Sequence, residues 1–244
     1  MLKACVNGAR NLKEHPALAR SVEELARDVA AAVRAGADAV HLHVKDDEGA
    51  DNLDGAALLK VMLAVQSLIP GVPIGVTTGA WASPDRSARV CAVQGWSGLP
   101  VRPDFASVNW HEDGADDVAA ALLDAGVDVE AGLWHVNGAQ AWLAFPHRDR
   151  CVRVLLELPD GIGDQEVGTR TRQLLHLIQK IEKFPVLLHG EGSSTWPALK
   201  LAGELGFSAR IGLEDVLELP DGTTAPDNAS LVRAAREILA GIHG

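Results

Sequence analysis

Apolar runs of strand length alternate with longer stretches of helical period from one end of the chain to the other. The first pair is KACVNGAR followed by SVEELARDVAAAVRAG. In the second segment Val22, Leu25, Ala26, Val29 and Val33 recur at the spacing of one helix face. Ser21 and Glu24 stand at capping-box positions, and Gly36 marks the stop. The rhythm goes on with AVHLHV and DGAALLKVMLAVQSLIPG, PIGVTTG and PDRSARVCAVQGW, FASVNW and GADDVAAALLDAG. It continues through VDVEAGLW and NGAQAWLAF, then CVRVLLEL and TRTRQLLHLIQKI. PVLLHGEG and TWPALKLAGELG follow, and SARIGLEDV with DNASLVRAAREILAG closes the series. Eight strand–helix units without a composition shift predict one domain over residues 1–244, folded as an α/β (β/α)8 TIM barrel. A doubly wound open sheet is the competing architecture. It usually carries a Gly-rich turn after its first strand, and NGARNL is not one.

Barrel chemistry sits at the C-terminal ends of the strands, and here those ends are polar. Strand one ends in Asn7 and Arg10, strand two in His41 and His43, strand three in Thr77 and Thr78, strand four in Ser107 and Asn109. Glu130, Glu157, His189 with Glu191, and Arg210 with Glu214 and Asp215 follow on the later strands. In AVHLHV the two imidazoles share one face while Val40, Leu42 and Val44 share the other. The apolar face belongs against the helices, so the histidines point into the barrel. About 7 Å apart along an ideal strand, they can converge on one ion. With a carboxylate they suit Zn2+ or a similar divalent metal with an open position. A pair of hydrogen-bonded core histidines is the plainer alternative. His189 and Glu191 repeat the spacing and can supply a ligand or bind substrate. Lys45 is either a Schiff-base lysine or an ion-paired side chain. GVTTGA is either an anion-binding turn or an ordinary one, Glu14 and His15 orient the first loop, and the six tryptophans belong to packing and the rim.

Composition narrows the rest. A net charge of −11 argues against general affinity for nucleic acid. No apolar run approaches the roughly 20 residues of a membrane span, and MLKACVNGAR lacks the features of a signal peptide. Cys5, Cys91 and Cys151 show no CxxC spacing and suit a reducing cytoplasm. Tyr is absent, so acid–base chemistry falls to His, Asp, Glu, Lys, Cys or water.

The order NGAR, KEHPAL, SVEELARDVAAAVRAGADAVHLHVKDDEG, VTTGA and ARIGLEDV resembles the β-keto acid cleavage enzymes, typified by 3-keto-5-aminohexanoate cleavage enzyme. The similarity is strongest over residues 4–80 and returns at 209–216. The resemblance implies that His41, His43 and Glu214 hold zinc, that Asp215 held by Arg210 is the base, and that Thr77 and Ser107, with Thr78 and Asn109 beside them, bind substrate. It implies exchange of a β-keto acid with acetyl-CoA, giving acetoacetate and a new acyl-CoA, in a homo-oligomer, commonly a tetramer. Arg10 stands where the typical member has an acidic residue. It is expected to face the substrate tail away from the metal and to favour anionic or neutral tails. HGEGSSTW replaces a glycine-rich, arginine-bearing segment of relatives, and residues 145–200 look trimmed. Two other functions remain open to the residues: a metal-dependent hydrolase, although amidohydrolases carry HxH on strand one, and a non-catalytic metal or metabolite sensor.

Overall fold

A computed structural model describes residues 1–178 and 184–243. Eight parallel strands close into a barrel in chain order: β1 (Leu2–Cys5), β2 (Ala39–Leu42), β3 (Ile74–Thr77), β4 (Phe105–Asn109), β5 (Asp128–Leu133), β6 (Cys151–Leu158), β7 (Val186–Gly190) and β8 (Ser208–Ile211). β1 pairs with both β2 and β8, which seals the ring. A helix follows each strand: α1 (Val22–Arg34), α2 (Gly55–Leu68), α3 (Arg86–Gly95), α4 (Ala115–Asp124), α5 (Val136–Ala144), α6 (Asp164–Ile178), α7 (Thr195–Glu204) and α8 (Asn228–His243). The (β/α)8 expectation holds. The helix expected over TRTRQLLHLIQKI starts earlier, at Asp164, and its expected residues 179–181 lie outside the described residues.

Strand alternation sorts the side chains. Leu2 and Ala4, Val40 and Leu42, Ile74 and Val76, and Val154 and Leu156 face outward into the apolar layer beneath the helices. The helices are stopped and started by local chemistry. Ser21 accepts a hydrogen bond from the Glu24 amide, while Glu24 accepts from the Arg20 amide, one residue short of the full reciprocal box. Asp54 caps α2 through the amides of Ala56 and Ala57.

The barrel interior is mostly polar, and its floor is an ion-pair cluster. Lys3 Nζ lies 2.5 Å from Glu130 Oε2, both side chains fully buried, and Arg153 Nε lies 3.4 Å from Glu130 Oε1. Lys3 and Arg153 also flank the Phe105 ring. That ring fills the space beside Gly75, where a Cβ would sit 1.9 Å from it. Glu130 is therefore a floor residue, early in β5. The mouth contribution from this strand is Trp134, just beyond its end.

Candidate active site

A cavity of about 490 Å³ opens at the C-terminal ends of the strands. His41 lies within β2 and His43 just past its end, with ring centroids 5.3 Å apart and rings edge to face. Their Nε2 atoms stand 3.9 and 3.8 Å from Glu214 Oε2. One donor atom from each of the three residues lies within 4.8 Å of the others. Glu214 Oε2 is buried without a hydrogen-bond partner, so a cation among the three donors would complete it. Burial holds the His41 imidazolium form well out of reach, aided by His43 and Lys3, and the neutral ring is the ligand form. Two imidazoles and a carboxylate fit a divalent ion that keeps an open position.

The carboxylate arrives because the last strand stops in time. Beyond Ile211 the chain turns, with the amides of Asp215 and Val216 returning to the Gly212 carbonyl. A continuing strand would aim adjacent residues oppositely; the turn lets Glu214 and Asp215 both line the cavity. On the other side of the seam Gly8 adopts φ +54°, and a Cβ there would fall 2.5 Å from Glu214 Cγ. Glycine is what lets the first loop pass so close.

Sequence reasoning missed the support behind His43. Asp51 Oδ2 lies 2.8 Å from His43 Nδ1 and also accepts from Trp81 Nε1 at 2.6 Å. Lys45 Nζ closes the group 2.6 Å from Asp51 Oδ1, so Lys45 is the ion-paired side chain. A carboxylate on Nδ1 fixes the tautomer and frees Nε2 as a donor. Asn7 grips the backbone of His43 from both sides, donating to its carbonyl and accepting from its amide at 2.8 Å each. Trp81 stacks near His43, 6.1 Å between centroids, and forms a half-exposed rim.

Arg210 links the candidate ligand Glu214 to the base candidate. Its Nη2 lies 2.6 Å from Asp215 Oδ1 and 3.1 Å from Glu214 Oε1, and its Nε donates to Asp215 Oδ2 at 3.1 Å. Asp215 is fully buried; burial raises its pKa, against the lowering pull of Arg210. His189 stands behind the wall rather than among the metal donors. Its Nε2 meets Glu157 Oε2 at 2.8 Å, whereas its Nδ1 is 3.8 Å from Asp215, too far for a hydrogen bond. Burial and Arg210 keep its ring neutral, and its Nε2 shares a hydrogen bond with Glu157.

The remaining candidates divide. Thr77, Ser107 and Asn109 line the cavity. Thr77 Oγ1 accepts from the Gly79 amide, and Asn109 is held between Trp134 Nε1 and Glu112. Thr78 turns away and donates to the Ser107 carbonyl at 2.8 Å. Arg10 lines the cavity but on the metal side, not the far end. Its Nε donates to the Leu213 carbonyl, next to Glu214, and its Nη1 is 2.9 Å from Glu14. A residue in the loop between β1 and α1 gives no periodic signal of where it will fold back.

Comparison with known proteins identifies the relatives of the chain. The chain is 26% identical to a 3-keto-5-aminohexanoate cleavage enzyme of Fusobacterium nucleatum subsp. nucleatum, over 98% of this chain and 92% of that protein. It is 25% identical to a 3-oxoadipate:acetyl-CoA acetyltransferase of Cupriavidus necator, over 90% of this chain and 81% of the relative. Among solved structures, ObcA in binary complex with oxaloacetate shares the fold with a TM-score of 0.75 at 19% identity, over 93% of this chain and 64% of that chain. The beta-keto acid cleavage enzyme model matches residues 1–243, and the chain belongs to that family.

Proposed function

We propose that this β-keto acid cleavage enzyme exchanges its substrate with acetyl-CoA, giving acetoacetate and a new acyl-CoA. The observation that carries the reading is the open Glu214 Oε2 facing two imidazoles, with the Arg210-held carboxylate of Asp215 in the same cavity. The acetyltransferase name of one relative supports acetyl-CoA as co-substrate. Family membership disfavours the hydrolase and sensor readings.

His41, His43 and Glu214 would hold Zn2+ or a similar divalent ion and present it to the keto and carboxylate oxygens of the substrate. Such an ion supplies Lewis-acid stabilisation of the charge that develops on the keto oxygen. Asp215 accepts the proton from C2; burial makes it a stronger base, and Arg210 fixes its direction. The C2 carbanion forms a bond to the acetyl carbonyl carbon, and the CoA thiolate leaves. That thiolate adds to the C3 carbonyl, the C2–C3 bond breaks, and acetoacetate departs with its proton returned by Asp215. Thr77 and Ser107 orient the substrate, with Thr78 and Asn109 fixing that wall. Arg10, beside Glu214, meets substrate oxygens at the metal end.

The free thiols of Cys5, Cys91 and Cys151 support a cytoplasmic setting, and the family resemblance supports a homotetramer. No helix among the described residues is long and apolar enough to cross a membrane. The test is a panel of β-keto acids incubated with and without acetyl-CoA, read by mass spectrometry. Acetoacetate and a new acyl-CoA should form only with acetyl-CoA; substrate consumption that ignores CoA would replace the transferase with a hydrolase.

A further inference from the structure

Across the barrel from the metal donors, four strands away from β2, the cavity wall is made of acceptors. Glu157, at the end of β6, is 4% exposed and lines the cavity. One of its oxygens takes the His189 hydrogen bond; the other, Oε1, is buried with no partner. A Cβ on Gly132 would fall 2.2 Å from that oxygen and 2.8 Å from Asn109 Oδ1, so the missing side chain leaves two acceptors close together. Glu191, from the end of β7, adds a partly buried carboxyl to the same wall.

The charge balance points the same way. Six carboxyl groups line the cavity, from Glu14, Glu157, Asp160, Glu191, Glu214 and Asp215, against the guanidiniums of Arg10 and Arg210, and burial lifts the Glu157 pKa above its ordinary value. Both guanidiniums are already ion-paired. A divalent ion at the ligand side offsets part of this excess but leaves the far wall untouched. An anionic tail would meet like charge there. A hydroxyl would satisfy Glu157 Oε1 without relieving the charge.

We propose that Glu157 and Glu191 are specificity-determining residues that select a β-keto acid with an ammonium group on its tail. This deepens the β-keto acid reading above and rests on it, and it reverses the tail polarity expected from Arg10. Burial and the facing Asp215, Glu157 and Glu214, opposed by Arg210, lift the Glu191 pKa to about 7. An ammonium placed between the two glutamates would relieve that repulsion.

The test ranks three β-keto acids of similar length by kcat/KM with acetyl-CoA: 3-keto-5-aminohexanoate, 3-oxohexanoate and 3-oxoadipate. Calorimetric Kd values without acetyl-CoA provide a ranking independent of turnover. The ammonium compound should lead the neutral one by about 10- to 100-fold, the range of one charged hydrogen bond, with 3-oxoadipate last. Glu157→Gln and Glu191→Gln should each remove most of that lead, chiefly through KM because the tail is remote from the reacting carbons. Glu191→Arg, at a partly exposed position where folding survives, should move 3-oxoadipate ahead. The lead should also grow from pH 6 to pH 8 as Glu191 ionises. A wild-type enzyme that prefers 3-oxoadipate or 3-oxohexanoate, or a ranking untouched by Glu191→Gln and Glu191→Arg, overturns the proposal. Failure of every compound to react with acetyl-CoA sinks the transferase reading instead, and the Kd ranking still decides what the wall selects.

Discussion

The two charged ends of the barrel are built on opposite rules. At the floor, Lys3, Glu130 and Arg153 come from β1, β5 and β6, and each charge faces an opposite one. The Arg153–Glu130 pair is too poorly aligned to count as a hydrogen bond, yet its charges still meet at 3.4 Å. At the mouth, Glu214 Oε2 and Glu157 Oε1 are buried with no donor at all. The same residue types therefore do different jobs. A buried charge closed within the chain holds the fold, and one left open marks where something else must come.

The sharpest break of this contrast is at Asp215. Asp215→Asn keeps the side-chain size and one of the two hydrogen bonds accepted from Arg210, but cannot take a proton. Turnover should fall by about 10²- to 10⁴-fold, with metal content by elemental analysis unchanged. Normal rates would return Asp215 to a structural role like that of Glu130. Next is the floor. Lys3→Met leaves Glu130 without its closest cation, and denaturant unfolding should register a loss of about 3–5 kcal/mol. Adding Glu130→Leu should restore part of it, while kcat of the folded fraction changes little. If Lys3→Met instead abolished activity without a stability cost, the floor would belong to the chemistry.

Smaller effects sharpen the contrast at the mouth. Asp51→Asn should weaken zinc binding by about 10- to 100-fold through loss of the His43 Nδ1 partner, measured by competition with a chromogenic chelator. His43→Ala should remove more. Equal affinity in Asp51→Asn and wild type would mean that the carboxylate serves Lys45 and Trp81 alone. The smallest effect concerns Glu191 and pH. Its folded pKa of about 7 lies above the ordinary carboxylate value of 4.5. The native state thus binds more protons than the unfolded state between those values, and stability drops as pH rises through that window. Glu191→Gln should remove the penalty, gaining about 1–2 kcal/mol at pH 8 after allowance for solvent screening and nothing at pH 4. An equal gain at both pH values would trace the effect to packing.

The fold was legible because it depends on repetition. Outward strand positions such as Val40 and Leu42 must be apolar, and helices such as α1 show their buried face at regular spacing. The candidate metal donors stood out for a related reason: two imidazoles break an apolar alternation at a strand end. Asp51 was not, because it sits among Asp46, Asp47, Glu48 and Asp54, and nothing local distinguishes the one that folds back. The hairpin-like bridge between Lys45 and Asp51 makes that choice, and it exists only in three dimensions. Glu130 misled for the opposite reason. Its type matched the mouth, but its place early in β5 put it at the other end. Arg10 was placed in the cavity and misplaced within it, since a loop carries no register.

The close passage of Gly8 over Glu214 has a mechanical consequence. The seam between β1 and β8 is where the first and last strands of the chain meet, and nothing covalent holds it. An ion shared by His41, His43 and Glu214 would rivet that seam, tying the opening quarter of the polypeptide to the turn after its last strand. Affinity for the ion is then a gauge of whether the hoop has shut. A chain still waiting for its last strand would offer two imidazoles and hold the ion weakly. Side chains larger than hydrogen at position 8 would prop the seam ajar and loosen the rivet without touching a single ligand.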